Sequence, residues 1–199
     1  NYLPNNTLLK PARGVHKAYV WRADPLVASF LPRKRVWIGN GANGLWSNPA
    51  NWQSNAVPEN GDDLVFPATA GRFTTTNDLA ALNAMSLILS NVNYRIAGNS
   101  VVLLGGFTTF HTSGSMPVDC AITAGTVNTT FSARNAAASL ELNGALDLSV
   151  FAATFDGSGT IRVPSVISGS GGFTKTGTGT LRLEGSTANS FAGPVVVKQ

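Results

Sequence analysis

Three short alternating runs, Leu140-Glu141-Leu142, Ile161-Arg162-Val163 and Leu181-Arg182-Leu183, recur after 21 and then 20 residues. Strict alternation over so few residues marks a strand with one buried and one exposed face. Recurrence at a fixed interval constrains the chain further, because equivalent positions must then meet equivalent surroundings. The turns ahead of the last two runs also match, with DGSGT at 156–160 and GTGT at 177–180 about one repeat apart. Toward the N-terminus, Cys120–Ile122 and Val101–Leu103 fall near the same spacing. A period of about 20 residues built from short strands is what one coil of a parallel β-helix requires. Successive coils then stack at about 4.8 Å, and equivalent apolar side chains line the interior. A two-sheet sandwich also spaces strands closely, but it does not make segments at fixed intervals resemble one another.

From about residue 79 the rest of the chain agrees. The segments SLILSN (86–91), YRIAGN (94–99), SVVLLGG (100–106), DCAITAG (119–125) and ALDLSV (145–150) are strand-like runs broken by Gly, Asn and Ser. A short helical turn around Asp78–Met85 is the one helical expectation after residue 36. Only 12% of residues are charged, about half the usual share. Thr, Ser, Asn and Gly take their place, which suits outward positions on a sheet and not an amphipathic helix. The expected class is all-β, with coils over residues 79–199.

Residues 1–36 differ in kind. They carry Lys10, Arg13, Lys17, Arg22, Arg33, Lys34 and Arg35 against the single acid Asp24, whereas residues 37–199 are close to neutral. Pro4, Pro11, Pro25 and Pro32 space the segment into extended pieces. Its apolar residues, among them Tyr19, Val20, Trp21 and Phe30, are too many for a free linker. The expectation is an extended basic arm that packs on a neighbouring chain or on its own body, with Trp21, Arg33, Lys34 and Arg35 as the candidate partner contacts. For Arg33-Lys34-Arg35 a processing site, an anion contact and a solvated junction stay open, the solvated junction leading. Nucleic acid is disfavoured, because the charges are spread out and no recognised binding motif accompanies them.

Residues 36–52, VWIGNGANGLWSNPANW, contain Gly39, Gly41 and Gly44 in the G-x-G-x-x-G spacing of a dinucleotide loop. That loop works by opening a helix whose N-terminal amides meet a pyrophosphate. The residues after Gly44 instead include Pro49 and Pro58 and show no helical apolar spacing. The glycines are therefore assigned to turns. Residues 37–78 are expected to form an entry and cap segment, with Trp37, Trp46 and Trp52 covering the open end of the first coil.

Residues 168–197, SGSGGFTKTGTGTLRLEGSTANSFAGPVVV, resemble the autotransporter-associated β-strand repeat. The resemblance rests on Gly169, Gly171, Gly172, Phe173, Thr174, Lys175, Thr176, Gly177, Gly179, Thr180, Leu181, Leu183, Phe191 and Gly193, with Pro194 where a second glycine is common. Trp37 through Phe66 looks like the entry module found ahead of such repeats. The resemblance implies a right-handed parallel β-helix displayed outside a bacterial cell, used as stalk and scaffold without a catalytic activity. The arm has no counterpart in it.

Candidate chemistry is sparse. Asp62-Asp63 is the one adjacent pair among the ten acids; turn capping is the favoured reading, with a calcium site as the alternative. Asp156 reads as a turn residue and His111 as a strand-edge or loop histidine. His16 and His111 lie 95 residues apart without a partner pattern, and the lone Cys120 permits no internal disulfide. No catalytic residue, cofactor or metal ligand is assigned, and no apolar run reaches the length of a membrane helix. The chain begins at Asn1 rather than Met, so a processed product or fragment is expected, and the sequence does not report its own export signal. Its last segment, PVVVKQ, ends on a strand without a polar cap, which suggests that the stack continues elsewhere. The expected function is a non-enzymatic extracellular scaffold, a homo-oligomer or assembly subunit whose arm reaches its neighbours. A carbohydrate-binding or carbohydrate-cleaving β-helix and a phage or virion fibre are the alternatives.

Overall fold

The computed structural model describes residues 32–91, 93–127 and 129–198. The expectations for Trp21, His16 and the rest of residues 1–31 lie outside them. The chain is all-β and winds as a parallel β-helix of about six turns. Each full coil passes through three faces. The first face stacks Lys34–Val36, Asp63–Phe66, the second half of Leu82–Leu89, the second half of Val101–Thr109, Thr130–Ala133, Ala153–Gly157, Phe173–Lys175 and Val195–Val197. The second stacks Thr74–Asn77, Arg95–Gly98, Gly114–Val118, Ala138–Leu142, Thr160–Val163 and Thr180–Leu183. The third is made by the first halves of the two long strands, then Ile122–Ala124, Leu146–Asp147 and Ile167–Ser168. All these pairings are parallel.

Register makes the core. On the first face Leu64, Leu87, Phe107, Phe131 and Phe155 lie one above another, and all are buried. Phe131 sits 6.5 Å from Phe107 and stacks 5.3 Å from Phe155. Phe173 and Phe191 carry the aromatic run onward at 5.3 and 5.4 Å. On the second face Met116, Leu140, Ile161 and Leu181 form the matching column, and Val163 pairs with Leu183. The recurrence that the sequence displays at 140, 161 and 181 is thus vertical stacking. The paired turns at 156–160 and 177–180 stack too: a Cβ at Gly179 would lie 2.0 Å from the Gly159 carbonyl oxygen. Only glycine lets the two turns approach that closely.

Three expectations need correction. Residues 78–85 form no helical turn; a turn at 79–81 leads into the strand Leu82–Leu89. That strand and Val101–Thr109 run from the third face around the corner onto the first, with a register shift between Ala84 and Ser86. The pieces Val101–Leu103 and Ile122 belong to the third face, paired with each other and with Leu146, not below Leu140. Leu140 rests instead on Met116, 24 residues back. That coil is longer because its corner from the first face to the second takes seven residues, Ala133 to Leu140, against four from Gly157 to Ile161 in the next. Asp156, finally, lies within the strand Ala153–Gly157 and accepts a hydrogen bond from Thr176 Oγ1 at 2.9 Å.

Phe131→Ala is expected to cost about 3–5 kcal/mol, the usual range for truncating a buried aromatic. The outward-facing Thr154→Ala, one strand on, should stay within about 0.5 kcal/mol. Urea unfolding monitored by circular dichroism distinguishes the two, and equal losses would contradict the assigned register.

Candidate assembly interface

The two ends of the helix are built differently. At the N-terminal end Trp37, Trp46 and Trp52 are fully buried. They meet edge to face at 5.1 and 6.1 Å and close over Phe66. Each indole N–H has an acceptor: the Arg72 carbonyl, Thr75 Oγ1 and the Trp46 carbonyl, respectively. The glycine-rich stretch serves this cap. A Cβ on Gly39 (φ +65°) would lie 2.6 Å from the Arg72 amide nitrogen, and the Gly41 amide donates to Asn51 Oδ1 at 2.8 Å. Two 3-10 turns come after it, Pro49–Asn51 and Gln53–Asn55, and among the described residues there is no α-helix.

Arg35 and, through its ion pairs, Arg33 belong to this cap, while Lys34 keeps the solvated place expected of a junction. Lys34–Val36 is the first strand of the first face among the described residues. Arg35, at an inward position above Leu64, is 13% exposed and donates to Asp62 Oδ2 at 2.6 Å. Arg33 donates to Asp62 Oδ1 at 2.9 Å and pairs with Glu59, while Lys34 is exposed. The Asp62 side chain is 1% exposed, and its Oδ2 also accepts from the Glu59 amide at 2.9 Å. Burial alone pushes the Asp62 carboxyl upward, but the bonds from Arg35, the Glu59 amide and Arg33 outweigh it and hold the pKa below the usual carboxylate value. With those donors on Asp62 and Ser86 Oγ donating to Asp63, the pair is committed to capping. Among the described residues no three His, Cys, Asp or Glu side chains converge. The alternation around Arg35 was readable; the partner 27 residues away was not.

The lateral faces show where the remaining polar groups go. On the second face Arg162 bridges Glu141 at 2.6 Å and Glu184 at 2.8 Å. One coil apart, Arg95 meets Asp119, which also accepts from Asn143. Paired carboxylates for acid–base cleavage of a sugar chain need freedom to exchange a proton with substrate. Each carboxylate of this column instead has a basic or amide partner. Cys120 is buried, and burial pushes its thiol up to about 12, far from thiolate chemistry at neutral pH. His111 is buried and its Nε2 lies 3.1 Å from the Gly114 carbonyl oxygen.

Among the described residues the C-terminal end has no cap. Leu183, Val195, Val196 and Val197 are 41, 52, 39 and 69% exposed. The strands Thr180–Leu183 and Val195–Val197 are the last of their faces, each paired on one side only within the described residues. Lys175 sits directly above Phe155 in the inward column, and its ammonium donates to the carbonyls of Thr176 and Gly177. Beside it a recess of about 370 Å³ is lined by Lys175, Gly177, Thr178, Gly179, Val197 and Lys198.

No protein family, curated protein or solved structure matches this chain. No helix among the described residues is long and apolar enough to cross a membrane.

Asp62→Ala, which strands Arg35 in a largely buried site, should cost about 3–5 kcal/mol. Glu141→Ala should change stability by no more than about 1 kcal/mol, because its pair is half-exposed and Arg162 keeps Glu184. Because the folded pKa of Asp62 is depressed, its contribution is complete above the ordinary carboxylate value of about 4 and is lost as pH falls through the lower folded value. Acidification should therefore release the indole N–H protons of Trp37, Trp46 and Trp52 to hydrogen exchange before the amides of 107–155. Simultaneous release would refute a separately acid-sensitive cap.

Proposed function

We propose that the chain is a non-enzymatic scaffold of a bacterial surface or extracellular assembly. The observation that carries this reading is the stack of parallel coils itself, closed on its N-terminal side by three tryptophans and a buried ion pair and bonded coil to coil on each face. Polar chemistry between them is directed along the axis. Asn77 Nδ2 donates to the Asn99 carbonyl, Asn99 Nδ2 to the Leu79 carbonyl, and Asn135 Nδ2 to the carbonyls of Phe110 and His111, each about one coil away. A surface organised in this way supports length and rigidity. The likeness of residues 168–197 to the autotransporter-associated repeat favours export and display outside the cell.

In this reading the basic arm contacts neighbouring subunits. The solenoid's own part of the basic region begins at Arg33, so the test must spare it. Deletion of residues 1–31 should leave the helix folded and reduce the assembly to monomers in sedimentation velocity. Unchanged size would remove the arm from the assembly contacts. Deletion of 1–35 should also unfold the cap, since it removes both arginines from Asp62.

A further inference from the structure

Strand ends on the first face lead into a corner whose positions repeat from coil to coil. Following the register of Phe66, Leu89, Thr109, Ala133 and Gly157, the next residue is Pro67, Ser90, Phe110, Arg134 and Ser158 in turn. Phe110 is the one aromatic of that row, and its side chain is 49% exposed although its amide is fixed to the Leu89 carbonyl at 2.8 Å. A half-exposed phenyl ring costs solvation without adding to the core.

The ring borders a recess of about 230 Å³ lined by Ser90, Asn91, Phe110, His111, Thr112 and Ser113. Two features of the lining fix what it can hold. None of the hydroxyls of Ser90, Thr112 and Ser113 makes a hydrogen bond to the described residues, so three donor–acceptor groups stand free beside an apolar ring. Asn91 is anchored, donating to the Ala68 carbonyl at 3.2 Å and accepting from the Asn93 amide at 2.9 Å. Nor does any lysine, arginine, aspartate or glutamate among the described residues line the recess. His111 forms its back wall; with Nε2 donating to the Gly114 carbonyl, Nδ1 is a bare buried acceptor without a donor among the described residues.

We propose that this corner is a binding subsite for one ring of a neutral saccharide. A pyranose has an apolar C–H face, which suits the phenyl ring, and equatorial hydroxyls, which suit Ser90, Thr112 and Ser113. The lack of charged lining selects against phosphate and uronate. The volume lies below the range of pockets that bury drug-sized ligands, so a single ring is held and the affinity is weak, with a Kd on the order of 1–10 mM. This site is independent of the open end and does not need the scaffold reading.

The test is titration of the ¹⁵N-labelled full chain with methyl β-D-glucopyranoside, methyl β-D-galactopyranoside and N-acetyl-D-glucosamine, monitored by amide shifts, with glycerol as the control. The result expected is saturable shifting by at least one sugar, confined to residues 89–91 and 109–114, and absent with glycerol. Phe110→Leu, which keeps an apolar side chain and loses the ring, should weaken binding at least tenfold while the remaining spectrum stays unchanged. Ser113→Ala should weaken it about threefold. No saturable shift with any of the three sugars, shifts reproduced by glycerol, or binding retained in Phe110→Leu would each overturn the proposal.

Discussion

Everything in the solenoid depends on the hydrogen bonding of each coil to the one beside it. A parallel strand of three or four residues satisfies none of its backbone groups alone, and a single coil encloses too little apolar volume to exclude water. Stacking answers both needs, because the ladder that pairs the backbone also brings Phe131 over Phe107 and Leu140 over Met116. Side chains keep to the same axis. Most of the side-chain bonds outside the caps and turns reach one coil up or down, as in Asn135 to Phe110 and Ser165 to Gly144. The interior is therefore quasi-one-dimensional, and its exceptional chemistry collects where the stack stops.

The two ends show what stopping requires. At the N-terminal end the inward column on the first face begins, among the described residues, with Arg35, a charge held by the buried Asp62. The indoles beside it cover the apolar ring of Phe66 while passing their N–H groups to internal acceptors. At the other end the same column passes through Lys175, whose aliphatic stem continues the packing while its ammonium turns to two backbone carbonyls. The column thus has a cation near each end, but only one of them has a carboxylate, and only that end is sealed by the described residues.

Legibility divided along the same lines. Where successive coils differ by about 20 residues, as from Leu140 to Ile161 to Leu181, the pattern was plain and led directly to the fold. It failed further back because the corner between the first and second faces is longer there, seven residues from Ala133 to Leu140 against four from Gly157 to Ile161. A fixed period cannot anticipate that change, and it misplaced Val101–Leu103 and Ile122 by one face. The burial of Trp37, Trp46 and Trp52 was expected from their clustering. The pairing of Arg33 and Arg35 with Asp62 was hidden, since a run of three basic residues beside a Pro-spaced arm reads as part of the arm. Phe110 was hidden for the opposite reason: in GFTTFHT it sits among strand residues, and only the turn of the corner exposes it.

A repeating wall can be specific only where it breaks its own repeat. At positions such as Ser90 and Arg134 the ladder bonds are made by the backbone, Ser90 donating to the Phe66 carbonyl and Arg134 to the Thr109 carbonyl. A substitution at such a position leaves the ladder intact, so a recognition element can arise on the wall at little cost to the fold. Phe110 has that character: its amide and carbonyl remain bound to Leu89 and Asn135, as the stack requires, while its ring is free to face a ligand. In the proposed reading recognition thus sits at an isolated departure along the side of the stack, apart from the cap and columns that hold the fold together.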